Sequence, residues 1–396
     1  REEPFTDLLE ATVDNRGKTA PTAPTGIPLI ATNCIKEDCL YPVFEKVRYI
    51  DDQTYRTWFR GHPEPGDILF VCKGSPGRVA LVPDPVSFCI AQDMVAVRAD
   101  PKKVYPKYLL AALKSPIVRE RVAQMHVGTM IPHFKKGDFD KLLIPVPDAD
   151  SQRQIGDLFF ELCEKVESNR RVIHTESQLA VALLSQGGRL LRVGDIATIS
   201  KGMSYKGSGL DDGNTSGAVP MVNLANFAAN GQINIRGLKH YIGEYKPKHI
   251  LQARDLLVAN TDLTQAREIL GRGFLVPPRL AGAIHTHHTS LIRFDDDKNW
   301  MTFFVWAQLH SDEFRNRAKG FATGTTVAAL PADALLDFEI SIPDDASKVV
   351  SQAVPLLEHS WHLLDENACI TAARDVLMSG LLSGQVRIAG GKDAGA

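Results

Sequence analysis

The sequence predicts an α+β protein: two β-rich mixed modules separated by two long antiparallel helices, arranged as an internal repeat with an approximate two-fold. Three observations predict it. The proline-led run IPVPD at 144–148 returns as ISIPD at 340–344, each time ahead of a long helix-like stretch. Other residues recur at offsets that drift only between 188 and 198. The stretch after the first run carries apolar residues at alternating steps of four and three, the spacing of a coiled-coil seam.

The repeat is read residue by residue. An offset of 196 carries Pro147 onto Pro343, Leu113 onto Leu309, Ser115 onto Ser311, Arg119 onto Arg315, Arg121 onto Arg317, and Gly128-Thr129 onto Gly324-Thr325. Upstream the offset is 188, with Asp7 on Asp195 and Asp67 on Asp255. Downstream it is 198, with Asn169 on Asn367 and Leu183-Leu184 on Leu381-Leu382. Drift of this kind means loop insertions inside a duplicated unit. The expected boundaries are a first module over 1–148, a first helix over 149–187, a second module over 188–344, and a second helix with a tail over 345–396.

Within the first module IPLIATNCI, GDILFVCKG, RVALV and MVAVRA are short strands between Gly and Pro turns. PKYLLAALKSPIVRERVAQM is a helix near its end. The first long helix starts at Ser151-Gln-Arg-Gln154, read as a capping box with Ser151 at the N-cap. Its seam is 155, 159, 162, 166, 169, 173, 176, 180 and 183, interrupted by Asn169 and Glu176, and Gly187-Gly188 is its C-cap. The second module offers VPMVNLANF, DLLVAN, RGFLVP and SLIRF as strands and MTFFVWAQLHSDEFRNRAKG as its helix. The second long helix carries Val354, Leu357, Trp361, Leu364, Leu377 and Leu381, with Gly384 at its end. Each helix spans roughly 50 Å at about 1.5 Å per residue, long enough for a spacer that pairs with its twin. The other reading keeps each helix as an amphipathic element docked on its own module. After the second helix Gln385-Val-Arg-Ile388 matches the opening of the second module, so the chain closes as a further module would begin.

Composition bounds the function. With 44% apolar and 23% charged residues the chain is of ordinary globular type, and no apolar run approaches 18 residues, so no membrane span is expected. The chain opens Arg1-Glu2-Glu3-Pro4, with no signal-peptide pattern, and the lack of an initiator Met reads as a trimmed start. Six scattered Cys without a CxxC fit a reduced, cytoplasmic compartment. A net charge of −2 means that any polyanion-binding surface is a local patch.

The order of module, proline boundary, helix, module, boundary and helix resembles the specificity subunit of type I restriction–modification systems. The residues that carry the resemblance are GDILFV (66–71), FCIAQDMVAVR (88–98), YLLAALKSPIVRERV (108–122), GTMIPHFKKGDFDKLLIPVPD (128–148) and SQRQIGDLF (151–159). The second copy adds VGDIATISKG (193–202), HTSLIRF (288–294), GTTVAAL (324–330), LLDFEISIPD (335–344) and LLSGQVRI (381–388). The resemblance implies that each module is a target-recognition domain reading half of a split double-stranded DNA site. It implies that the helices form an antiparallel coiled coil that sets the spacing and docks two modification (methyltransferase) subunits. Restriction (motor nuclease) subunits are the further partners, and S-adenosylmethionine, ATP and Mg belong to partner subunits rather than to this chain.

Catalytic motifs are lacking. An adenine methyltransferase needs [DNS]PP[YFW], and Val276-Pro-Pro-Arg279 lacks both the polar residue and the aromatic. Arg16-Gly-Lys-Thr19 has the end of a P-loop, but position 12 is Thr rather than Gly. Pro83-Asp84 and Pro343-Asp344 have no nuclease partners, and Asp344 reads as a helix start. Cys34 and Cys39 lack a second spaced pair for a metal. His285, His287 and His288 read as loop or DNA-facing polar residues ahead of a metal site.

Phosphate contacts call for Lys, Arg and small polar groups, and base readout for Arg, Lys, Asn, Gln and Ser. The DNA-binding candidates in the first module are Arg16, Lys18, Lys73, Ser75, Arg78, Thr129, His133, Lys135 and Lys136. Those in the second are Lys201, Tyr205, Lys206, Gln265, Arg267, Thr325 and Thr326. Solvated surface charge is the competing reading for each alone. The function expected is a non-catalytic DNA-reading scaffold. The alternatives are a coiled-coil scaffold without DNA and a stand-alone DNA-modifying enzyme.

Overall fold

In the computed structural model the chain divides into two units, Arg1–Arg171 with Asp365–Ala396, and Val172–Leu364. The structure describes residues 1–15, 18–125, 132–213, 215–228, 231–264, 266–324, 327–382 and 384–386. The closing run at 387–388 therefore lies outside the described residues.

The first unit is built on an antiparallel sheet in the order Leu9–Val13, Met94–Ala99, Ile68–Val71, Val79–Leu81. Its central strands read as continuous apolar runs because both faces are buried. Ile68, Phe70, Val95 and Val97 face a core with Phe5, Phe134 and Phe139. Leu69, Val71, Met94 and Ala96 face a second core with Ile30 and Phe88, as the two-residue period of a strand requires. A second sheet sets Ile27–Ile30 between Arg48–Ile50 and, in parallel, Cys89–Ile90.

The second unit repeats the four-stranded main sheet and the parallel-paired second sheet. Its main sheet is Ala197–Lys201, Thr289–Phe294, Leu256–Ala259, Gly273–Leu275. Val219–Val222 lies between Lys239–Tyr241 and the parallel Ile284–His285, with Leu210–Asp211 added at the edge. The aligned acids hold aligned partners. Asp67 accepts from Arg98 Nε (2.8 Å) and the Glu64 amide (2.8 Å), and Asp255 from Arg293 Nε (2.9 Å) and the Gln252 amide (2.7 Å). Both acids are buried, and each arginine has a second partner, Glu64 for Arg98 (2.8 Å) and the Ile250 carbonyl for Arg293 (2.8 Å).

The helix expected near the end of each module is two helices. Pro106–Lys114 gives way to Pro116–Met125 at Ser115, and Met301–Gln308 to Asp312–Phe321 at Ser311. Each serine is extended, and its hydroxyl accepts the amide three residues on, Val118 (3.3 Å) or Phe314 (3.1 Å). A serine that caps a new helix cannot also continue the old one, and Pro116 further disfavours the helical region for Ser115.

The long helices are Ala149–Leu184, of 36 residues, and Ala346–Leu382, of 37. The capping residue of the first is Asp148, not Ser151. The Asp148 carboxylate accepts the Ser151 amide (2.9 Å) and hydroxyl (2.7 Å), which places Ser151 inside the first turn. The buried line runs 155, 159, 163, 166, 169, 173, 180, 184 rather than through 162 and 183. A helix turning every 3.6 residues drifts from a strict 3.5 repeat, and the sequence reading did not allow for that. Gly188 does not cap this helix. It is where the backbone passes Ile342, whose carbonyl oxygen would lie 2.1 Å from a Cβ there. Gly384, with φ +74°, does follow the end of the second helix. That helix buries Val349, Ala353, Leu357, Trp361, Met378 and Leu381, while Leu377 is exposed and Val354 half-buried.

Within the first unit the helix segments pair antiparallel. Asn169, 3% exposed, donates to Asn367 Oδ1 (2.9 Å) and Glu366 Oε2 (2.7 Å), while Arg374 Nη1 reaches Cys163 Sγ (3.5 Å). Within the second unit Glu176 takes His359 (2.7 Å) and the Ser360 hydroxyl (2.9 Å). The start of each helix packs on the module before it, Ile155 and Phe159 in the first core and Ala353 and Leu357 in the second, whereas Met378 and Leu381 near the end of the second helix join the first core and Ala180 and Leu184 near the end of the first helix join the second. Docking of each helix on its own module therefore holds only for the start of each helix.

Candidate nucleic-acid interface

In the first unit three strand ends lie together, because Val13 pairs with Ala96 and Val71 with Met94. The connections that leave this end are tied to one another by backbone bonds. The Cys72 and Lys73 amides donate to Asp93 O (2.9 and 3.2 Å). The Phe134 amide donates to Cys72 O (2.8 Å) and the Gly74 amide to Pro132 O (3.0 Å). Phe134 is the anchor, fully buried among Phe70 and Phe139. Gln92 Nε2 reaches Thr19 Oγ1 (3.5 Å), and Lys136 forms an ion pair with Asp14.

This geometry collects the first-module candidates on one edge. Lys18, Lys73, His133, Lys135 and Lys136 are exposed there, and Ser75 and Arg78 are half-buried. Lys73 and Lys135 make no ion pair among the described residues, whereas the charge of Lys136 is shared with Asp14. Arg16 and Thr129 lie outside the described residues.

The second unit makes the same bonds. The Asn260 amide donates to His288 O (3.0 Å) and the Leu330 amide to Asn260 O (2.8 Å), matching Cys72–Asp93 and Phe134–Cys72. The pairing of Thr261–Asp262 with Ala328–Ala329 makes a short ribbon. Its loop is longer than its counterpart and is held from within. Asp262, fully buried, accepts the amides of Thr264 (2.7 Å), Ile269 (2.8 Å) and Leu270 (3.1 Å). Arg315 donates to the carbonyls of Arg267 (3.2 Å), Glu268 (3.1 Å) and Leu270. Burial, with Arg272 nearby, pushes Arg315 down to about 10.

Of the second-module candidates, Lys201 and Lys206 are exposed, Lys201 as the last residue of a strand rather than in a loop. Tyr205 packs edge-on against Tyr241. Arg267 is turned back: its Nη1 donates to Lys319 O (2.8 Å), so its guanidinium fastens the loop to a helix instead of extending outward. Gln265, Thr325 and Thr326 lie outside the described residues. Of the three histidines, His285 is buried in a strand and shares a hydrogen bond with Thr289 Oγ1 (2.8 Å), so it does not face a ligand. Burial pushes it down to about 4. His287 and His288 do stand at the edge, 3.9 Å apart ring to ring, with His288 bonded to Thr261 Oγ1 (2.9 Å).

Sequence reasoning missed Lys239, whose ammonium lies 5.6 Å over the Tyr205 ring and 3.2 Å from its hydroxyl. The KHY strand alternates a cation with an aromatic, a signal that would have found it. It also missed Leu263 and Val327, exposed at the ribbon end. Among the described residues no group of three His, Cys, Asp or Glu could hold a metal ion, and no helix is long and apolar enough to cross a membrane.

Residues 13–175 match the family model of the type I restriction modification DNA specificity domain, so the resemblance read from the sequence is borne out over that stretch. The whole fold is similar to the type I restriction–modification S subunit of M. genitalium, with 14% identity, TM-score 0.58, and coverage of 96% of this chain and 95% of that one. The HsdS subunit of Thermoanaerobacter tengcongensis matches over 98% of this chain and 97% of that one at 17% identity, with a TM-score of 0.38. No curated protein matches the chain.

Proposed function

We propose that the chain is the DNA sequence-recognition subunit of a type I restriction–modification complex, with each module reading one half of a bipartite duplex site. The observation that carries this is the match over residues 13–175 to the specificity domain, together with the recurrence of the same bonded loop edge in the second unit. Exposed cations on the first edge suit phosphate contacts, which set position. The loop side chains beside them suit base readout, which sets sequence.

The two long helices act as an antiparallel coiled coil that fixes the distance between half-sites and docks two modification subunits. The buried Asn169–Asn367 pair, residues that are equivalent in the repeat, suits this role, because a buried polar layer specifies register. The chain contributes no reacting group. S-adenosylmethionine binds the modification subunits, and ATP and Mg serve the restriction subunits, all in the cytoplasm.

The test is reconstitution. The purified chain alone should methylate nothing and bind no S-adenosylmethionine. Added to its modification subunits it should direct adenine methylation to one split sequence, mapped by methylome sequencing. Exchanging residues 1–145 for another module should change one half of that sequence only. Methyl transfer by the chain alone would overturn the proposal.

A further inference from the structure

The equivalent edges of the two units carry different chemistry. Lys73 and His133 form the bridge that ties the loops of the first unit. Their equivalents in the second unit are Thr261 and Ala329, paired on the ribbon. The next positions outward are Leu263, 67% exposed, and Val327, 39% exposed. Alternation along the ribbon explains why. Asp262 and Ala328 turn inward and are buried, so Leu263 and Val327 take the outward face with Thr261 and Ala329.

This tip is not on a loose loop. Asp262 holds three amides from below, Arg315 holds three carbonyls, and Arg267 is bonded to the following helix. Two apolar side chains are therefore exposed at the end of one tied ribbon, each next along the chain from its last pair, an arrangement that favours an apolar partner. The position aligned with Leu263 in the first unit is Ser75, so the frame does not demand a hydrophobe there.

We propose that Leu263 and Val327 form an apolar tip that contacts the apolar surface of a base in the half-site read by the second module. This rests on the DNA-reading function proposed above. Duplex DNA presents such a surface in two places: the C5-methyl of thymine in the major groove, and the face of a base at a partly opened step. The second module then reads one position by hydrophobic contact where the first offers cations.

The experiment uses the chain assembled with its modification subunits and a duplex carrying its mapped methylation site. Leu263→Ser should weaken binding by roughly tenfold, the loss of a few buried carbons. The slope of binding against salt should stay unchanged, because no phosphate contact goes. Replacing thymines of the second half-site one at a time by deoxyuridine locates a methyl contact: at that position the wild type should lose several-fold and the Leu263→Ser complex nothing further. If no deoxyuridine matters, 2-aminopurine beside the site should brighten with the wild type and not with the variant, which identifies an opened step. Leu263→Ser and Val327→Ser complexes that both bind like the wild type would overturn the inference. So would a Leu263→Ser complex that binds weakly with neither probe responding, because the tip would then serve another partner. A wild-type complex with no sequence preference would instead overturn the proposed function.

Discussion

Lengthening both long helices tests whether they measure the distance between half-sites. Four residues inserted directly after Asn169, and four directly before Asn367, leave the Asn169–Asn367 bond (2.9 Å) in place and keep the helices of 36 and 37 residues matched. Each insertion adds about 6 Å of helix. Four residues rotate the helix by about 400°, some 40° past a full turn, so the buried face is nearly kept. At about 3.4 Å of rise per base pair, the gap between the half-sites should grow by one to two base pairs. The bases within each half should stay the same, because neither module edge is touched. Methylome sequencing of cells that carry the wild-type or the lengthened gene reads the gap directly. An insertion in one helix alone should abolish methylation, since with Asn169 and Asn367 still paired it puts Glu176 about one turn out of register with His359 and Ser360. A lengthened chain that methylates with an unchanged gap would refute the reasoning and assign the spacing to the partner subunits.

Three further outcomes are expected. Lys73→Ala with Lys135→Ala should weaken DNA binding for every sequence and lower the slope of log affinity against log salt by about 1.8, at about 0.9 per phosphate contact; filter binding across a salt series measures it. Gly156→Ala should destabilise the first unit by about 2 kcal/mol in urea unfolding although alanine favours a helix by about 1, since overpacking against backbone exceeds that gain; its Cβ would sit 2.6 Å from the Tyr108 amide nitrogen. His285 is held down to about 4 by burial, so below its ordinary 6.5 the unfolded chain takes up a proton that the folded chain refuses. Stability should therefore fall as pH drops from about 6.5 to about 4, by up to about 3 kcal/mol from this group, and be flat above 7. Thermal melts of His285→Gln should show a shallower acid slope than the wild type, and parallel slopes would show that His285 does not carry it.

Much of the fold was legible because its signals are local and repeated. Proline boundaries, short apolar strands and helical spacing each appear twice, so every assignment in one half was checked by the other. The misreadings came where two local signals compete. Ser115 and Ser311 look like ordinary members of one helix until the hydroxyl closes on the next amide. Ser151 looks like a cap until the aspartate three residues ahead takes its amide. For the candidate edge the residue types were legible and their use was not. Lys136 and Arg267 read as free cations, yet one is paired with Asp14 and the other spent on a carbonyl, contacts made across long stretches of chain.

The bonds that bring the loops together could not be read from the sequence either, for a reason that bears on function. They run from amide to carbonyl: Cys72 to Asp93 and Phe134 to Cys72 in one unit, Asn260 to His288 and Leu330 to Asn260 in the other. Main-chain bonds of this kind are indifferent to the side chain, so a cysteine can stand where the other unit has asparagine, and an aspartate where it has histidine. Burial limits size at the inward-facing members, Cys72 and Asn260 as well as Phe134 and Leu330. The outward positions are free to differ, and they do: Lys73 against Thr261, His133 against Ala329, Ser75 against Leu263. A frame fixed by its main chain and varied at its rim lets one fold present two different surfaces, as the proposed reading of two unlike half-sites would require.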